Sequence, residues 1–287
     1  MKQPNPWRPV AVTAVAARIS ETTPRDLRGV EVLRKVLEEG LGVDAHTLEG
    51  RRQPFSRTRW EDDLTASREL LRVAGQRAAA AMRSGSVPIT IATDCALAMG
   101  TLPAVLAAQG DGARVLWLDA HADYDTPATT TAGFLGCMSL AGACGAWESG
   151  LGAIAPGSVV HLGARAQPGD FDYPGQCEAE RSGMTMIPPA RGHCEAVMAA
   201  LGDAPVYVHL DPDVLDPLDN PVPYGRAGGL RAGELHALLR TIAHRGPVVG
   251  MEIAAFHSDD APALRRRMAR LLADAVCAAI ASGAAVG

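Results

Sequence analysis

Asp119-Ala-His-Ala-Asp123 carries three metal-competent side chains at alternate positions, directly after the apolar run Val115-Leu-Trp-Leu118. An extended backbone points such alternate positions to one face. Carboxylates gathered at the end of a buried strand are costly unless something compensates their charge, so the spacing implies a cation among them. His209-Leu-Asp211-Pro-Asp213 repeats the alternation after a second apolar run, Val206–Leu210. Asp119, Asp123, Asp211 and Asp213 with His121 among them make an oxygen-rich donor set. That set suits manganese, iron or zinc better than it suits a thiolate-dominated centre. A lone Asp-x-His is most often a polar loop, and the second carboxylate pair is what favours the metal reading. Asp216-Pro217 reads as a turn instead of a ligand.

The elements that must position these residues follow from the apolar pattern. Strands are expected at Pro9–Ala14, Val87–Ala92, Arg114–Leu118, Ser158–Leu162, Met184–Ile187, Val206–Leu210 and Val248–Ile253, with a weaker one near Leu41–Ala45. Amphipathic stretches fall at Asp26–Glu39, Asp62–Arg83, Ala96–Gln109, His193–Leu201 and Ala232–His244, and a long alanine-rich helix at Ala261–Ala281. Strands without internal alternation, separated by helices, imply a parallel sheet covered on both faces. Residues 1–287 read as one α/β domain of three layers, with no linker or repeat to divide it. In such sheets ligands bind beyond the carboxyl ends of the strands. Asp94-Cys95, Asp119 to Asp123, Asp211 with Asp213, and Glu252 all fall at such ends.

Composition narrows the class. The chain has a hydrophobic fraction of 47% and a net charge of −5 with its arginines dispersed. A nucleic-acid surface would need a basic face, so none is expected. No run approaches the ~20 apolar residues of a membrane helix, and Val10–Ala17 reads better as a first strand than as a signal-peptide core. The cytoplasm is the expected compartment. Six cysteines without paired spacing fit neither a zinc knuckle nor a disulfide framework.

On these motifs the chain resembles the ureohydrolase family of arginases, agmatinases and formiminoglutamases. Asp119 to Asp123 match the family's second metal motif, His209 to Pro217 its third, and Met251-Glu252-Ile253 the segment whose glutamate grips the guanidinium. The resemblance implies a three-layer αβα arginase-type fold with a mostly parallel eight-stranded sheet. It implies two Mn2+ ions per chain, a small guanidino substrate, and attack by a metal-bridging hydroxide. Asp119 and Asp211 would bridge the ions, His121 and Asp213 would complete one, and Cys95 and Asp123 the other. Asp123 would also accept a hydrogen bond from the hydroxide, and Glu252 would bind substrate. Many relatives are trimers or hexamers, which leaves a homo-oligomer open.

The departures from the family are as informative. Its first motif is Gly-Gly-Asp-His, and here it reads Ala92-Thr93-Asp94-Cys95. A thiolate is softer than imidazole and shifts preference away from manganese. A weakened two-metal site, a different metal on the Cys95 side, a single ion, and an inert buried thiol all stay open. Arginases place asparagine, serine, asparagine and histidine where this chain has Asp125, Ala132, Phe134 and Gly136. Asp125 stays polar, while Phe134 and Gly136 imply a more apolar and roomier pocket. The acid that holds an α-amino group aligns with Pro168, with Asp170 close by. A member class that shares the cysteine cleaves Nω-hydroxy-L-arginine to hydroxyurea and L-ornithine in antibiotic biosynthesis. That reaction is the expectation here, with urea release from arginine, agmatine or another guanidino compound as the alternative and a non-catalytic metal-binding homologue as a weaker one. His209 shares a strand face with Asp211 and reads equally as a proton carrier or as a histidine supporting the site.

Overall fold

The computed structural model describes residues 8–20, 25–52, 59–222, 224–256 and 261–280. Runs rich in valine and isoleucine with little polar alternation form strands buried on both faces, and the amphipathic stretches between them form the covering helices. In chain order the elements are β1 (Val10–Ala16), α1 (Arg25–Leu41), β2 (His46–Glu49), α2 (Trp60–Arg83), β3 (Val87–Ile91) and α3 (Ala98–Gln109). β4 (Arg114–Leu118), α4 (Ser139–Ala143), β5 (Val159–Leu162), α5 (Tyr173–Arg181), β6 (Thr185–Ile187) and α6 (His193–Leu201) follow. β7 (Val206–Leu210), α7 (Ala232–Arg245), β8 (Val248–Ile253) and α8 (Pro262–Ile280) complete the order.

The eight strands form one sheet, β2-β1-β3-β8-β7-β4-β5-β6. Every pairing is parallel. One face packs Leu116, Leu118, Val208 and Leu210 against α1, α6, α7 and α8. The other packs Val115, Trp117 and Tyr207 with residues of α2, α3 and α4. The three-layer α/β expectation is therefore met. The sheet is parallel throughout where the resemblance implied mostly parallel.

Two sequence expectations need correction. The weak strand near Leu41–Ala45 lies further on, as β2 at His46–Glu49. Leu41 instead ends α1, and Gly42 follows it with a φ of 66° that terminates the helix. The helix α5 was not expected at all, because Pro174 and Gly175 sit in its first turn. Proline is tolerated there because that N–H lacks a helical partner anyway. The last residue of the expected helix Ala261–Ala281 lies outside the described residues.

Parallel register sets a row of side chains across the middle of the sheet. Thr90 on β3 is level with Glu252 on β8, Glu252 with His209 on β7, His209 with Trp117 on β4, and Trp117 with His161 on β5. Asp119 and Asp211 follow Trp117 and His209 by two positions, so they stand on the same face one step nearer the carboxyl ends. Helix α3 covers this face. It can come close to α2 because Gly75 and Gly100 meet backbone to backbone. A Cβ on Gly100 would lie 2.2 Å from the Leu71 carbonyl oxygen. That approach sets the depth of Thr101, the next residue along.

Candidate metal centre

The strand-end aspartates share one local device. Asp94 accepts from Ala96 N at 2.7 Å, Asp119 from His121 N at 2.7 Å, and Asp211 from Asp213 N at 2.8 Å. Each carboxylate thus caps the backbone two residues on and turns the chain away from the sheet. The second oxygen of each has another partner. Asp94 takes the Ser20 hydroxyl at 2.6 Å, Asp119 takes Trp117 Nε1 at 3.0 Å, and Asp211 lies 3.2 Å from Cys95 Sγ. Asp123 adopts φ of 48°, in the left-handed region that aspartate tolerates better than most residues. Its carbonyl accepts the Leu140 and Ala141 N–H groups at the start of α4.

The cluster has two sides. On one, His121 Nδ1 is 2.9 Å from Asp213 and 3.5 Å from Asp119, and Asp213 also accepts from Ala120 N at 3.0 Å. His161 Nε2 holds the His121 carbonyl at 2.9 Å, and burial pushes His161 down to about 3, so it stays neutral. The other side contains Cys95, Asp211 and Asp123. Cys95 sits in a short 3₁₀ turn, Cys95–Leu97, capped by Asp94. A ring nitrogen of His209, Cys95 Sγ and an Asp119 oxygen lie within 4.8 Å of one another, as do donor atoms of Asp119, His121 and Asp213.

The electrostatics fit a cation. Burial raises Asp119 to about 6, helped by the Asp213 charge. Burial, then the neighbouring carboxylates, raise Asp123 and Asp211 well above the ordinary range. Burial opposes a charge on His121, but Asp213 and Asp119 outweigh it and raise its pKa well above the usual value. Asp213 is also penalised by burial, yet His121 holds it down at about 2. Without metal, a proton on His121 thus does part of the work of a cation. Burial and the Asp211, Asp123 and Asp119 charges push the Cys95 thiol up, so only a cation could draw out its proton. Four buried carboxylates, an imidazole, a thiol and a histidine nitrogen without a partner among the described residues are a donor set that divalent ions fit.

The remaining predicted residues fall in different places. Glu252 is fully buried, level with His209. Its Oε1 is 2.6 Å from His209 Nδ1, and its Oε2 accepts the Tyr207 hydroxyl at 3.1 Å and the Thr101 hydroxyl. His209 stacks on Trp117 with ring centroids 3.5 Å apart. Asp125 is buried beneath the first turn of α5, where a Cβ on Gly175 would touch its carboxylate, and burial raises it to about 6. Asp170 pairs with Arg226 at 2.6 Å, and Arg226 also grips Asp172. Phe134 is 37% exposed. A Cβ on Gly136 would lie 2.4 Å from the Phe134 ring, so the phenyl group fills the space that Gly136 leaves. The expectation of a roomier pocket at these two positions is corrected accordingly.

Sequence reasoning missed Trp117, Tyr207, Thr101 and His161 as supports of the site. Trp117 and Tyr207 precede Asp119 and His209 by two positions, so strand alternation was a usable signal for both. Thr101 arrives from a helix on no such period.

Comparison with known proteins supplies the family. The Arginase family profile matches residues 22–281. The chain is 33% identical over 239 residues to the N(omega)-hydroxy-L-arginine amidinohydrolase of Streptomyces lavendulae, covering 83% of this chain and 85% of that protein. The arginase of Bacillus cereus superposes with a TM-score of 0.81 at 22% identity, covering 97% of this chain and 100% of that one. Proclavaminate amidino hydrolase from Streptomyces clavuligerus superposes with a TM-score of 0.67 at 19% identity, covering 98% and 94%. The two superpositions establish the fold. With the profile match and the sequence identity, they show that the chain belongs to the arginase family and is a hydrolase of the class that acts on guanidino compounds.

Proposed function

We propose that this chain is a cytoplasmic, manganese-dependent amidinohydrolase that cleaves Nω-hydroxy-L-arginine to hydroxyurea and L-ornithine. Asp119 and Asp211 would hold both ions, His121 and Asp213 one of them, and Asp123 with Cys95 the other. Bound divalent ions lower the pKa of a shared water and so supply a nucleophile at neutral pH. The guanidine carbon gains the water oxygen, its bond to the ornithine nitrogen breaks, and that nitrogen leaves as an amine after taking a proton. Asp123 is the most exposed of the four acids, at 8%, which suits it to accept a proton from water and pass it to the amine.

The observation that carries the reading is Glu252. Both of its oxygens already face His209, Tyr207 and Thr101 and the group is fully buried, so it has less to offer a guanidinium cation than an open carboxylate would. An N-hydroxyguanidine is less basic than a guanidine, because its oxygen withdraws electron density, and it reaches the site partly neutral. It needs less from a counter-ion, and its less delocalised carbon is easier to attack. The Streptomyces lavendulae relative, named for this substrate, supports the same choice.

A second reading is urea release from another guanidino compound such as agmatine. It is favoured by Asp170, whose charge is partly offset by Arg226 and the Gln167 N–H on Oδ2, which weakens its hold on an α-amino group. Assay of the manganese-loaded protein on Nω-hydroxy-L-arginine, L-arginine and agmatine separates the two. The highest kcat/KM is expected for hydroxyarginine. A clear preference for arginine would overturn the proposal, and a preference for agmatine would favour the second reading.

A further inference from the structure

We propose that His209 supplies the imidazole that position 95 lacks, binding the ion on the Cys95 side through Nε2, with Glu252 as its orienting carboxylate. This rests on the reading above that the centre holds two ions.

The first support is an unexplained atom. His209 is fully buried, and its Nε2 has no hydrogen-bond partner among the described residues. A buried polar atom without a partner is costly, and native structures rarely keep one without a reason. The second support is position. A His209 ring nitrogen, Cys95 Sγ and an Asp119 oxygen lie mutually within 4.8 Å. Atoms that share one ion, each at about 2.0–2.3 Å from it, lie at most about 4.6 Å apart. Small side-chain adjustments would bring these three onto one ion.

The third support is orientation. Nδ1 faces Glu252 Oε1 at 2.6 Å, and an ionised carboxylate can only accept. The Nδ1 proton is therefore assigned to that bond, which leaves Nε2 presenting its lone pair. Trp117 stacks flat on the ring, the two planes 6° apart, and fixes its rotation. Tyr207 and Thr101 hold the other Glu252 oxygen. A histidine that binds metal with one nitrogen and donates through the other to a carboxylate is a recurrent arrangement, because it fixes the tautomer and strengthens the ligand. His209, Glu252, Trp117 and Tyr207 are brought level or adjacent by the register of β4, β7 and β8. The glutamate that the family resemblance assigns to substrate would here serve the metal. The imidazole would have moved from the turn after β3 to β7, with β8 between them in the sheet.

The test reads metal, not turnover. Wild type, His209→Gln, Glu252→Gln and the double variant His209→Gln with Cys95→His are loaded with Mn2+, desalted and measured for ions per chain. Electron spin-echo modulation from nitrogen then counts imidazoles on the manganese. Wild type is expected to hold two ions with nitrogen coupling from two imidazoles. His209→Gln is expected to keep the His121-side ion, to bind the other at least tenfold more weakly, and to show one imidazole. Glu252→Gln should weaken the same ion by roughly 10–100-fold, the usual effect of removing such a carboxylate. Cys95→His should restore the second ion in the His209→Gln background, which separates ligand loss from misfolding. Wild-type affinity and unchanged nitrogen coupling in His209→Gln would overturn the inference and leave the two-ion reading standing. Fewer than two ions in wild type would overturn both.

Discussion

The two sides of the acid cluster draw on overlapping carboxylates and differ in how they manage charge. On the His121 side, imidazole, Asp213 and Asp119 are in direct contact, with a 2.9 Å bond from His121 to Asp213. His161 braces the backbone from below, and Arg165 ties the Asp213 carbonyl to the loop after β5 at 3.0 Å. On the Cys95 side, the thiol donates to Asp211, and the nearest imidazole faces Glu252 and leaves one nitrogen bare. The first side is electrically nearly complete without metal, since a proton can sit on His121. The second is not, because a buried thiol and raised carboxyls offer no cation of their own. The contrast predicts that the Cys95 side depends more heavily on its ion than the His121 side does.

Asp119 breaks the comparison most severely because it touches both sides. Asp119→Asn is expected to abolish binding of both ions and to reduce kcat/KM by more than the roughly 10–100-fold seen when an outer partner of a metal ligand is removed. Metal content and rates measured together check this. A variant that lost only one ion would mean that the sides are independent.

Metal removal has the next largest effect, and its sign follows from the protonation states. In metal-free protein Asp119 stands at about 6 against an ordinary 3.8, Asp123 and Asp211 are also raised, and His121 is raised above 6.5. The folded chain then holds more protons than the unfolded one. This stabilisation is full below the unfolded carboxyl value and is lost as pH rises through the folded values. Asp213, held at about 2, opposes this only at lower pH. The Asp119 displacement alone corresponds to about 3 kcal/mol, or several degrees in melting temperature. Chelator-treated protein should therefore melt higher at about pH 5.5 than at about pH 7.5. Manganese should reverse the order, because its ligands must be deprotonated. A chelated protein more stable at the higher pH would contradict the assignment of strain to these acids.

The motifs placed the cluster because alternation along a strand is a property of the chain itself. Trp117, Asp119, His209 and Asp211 lie at positions whose facing can be read without knowing the fold. The strands were legible for a similar reason, since β3 and β7 are buried along their whole length and β4 from Val115 onward. The edge strand β2 was not, because its residues are only partly buried and its apolar content is one leucine in His46–Glu49. What alternation cannot convey is which strand lies beside which. β7 and β8 are neighbours, so His209 meets Glu252, and β3 follows β8, so Thr101 and Cys95 arrive from one side. The family resemblance gave Glu252 to the substrate. The pairing that occupies it exists only in the register.

The smallest expected effect lies at the rim and sharpens the comparison from outside. Phe134 and Gly136 are two departures in the sequence but one packing unit in space, because the ring covers the glycine. Gly136→Ala should force the partly exposed ring outward and destabilise by about 1 kcal/mol, the low end for overpacking, since Phe134 can yield toward solvent. In a Phe134→Ala background the same change should be nearly neutral, a coupling of at least about 0.5 kcal/mol. Melting of the four proteins measures the coupling, and KM across the same cycle shows whether the unit shapes the substrate pocket. Additive effects would mean that the ring does not fill the space above Gly136. Coupling in stability without change in KM would make the pair a matter of packing. Substrate choice would then rest on the buried exchange of imidazole and thiol between β3 and β7.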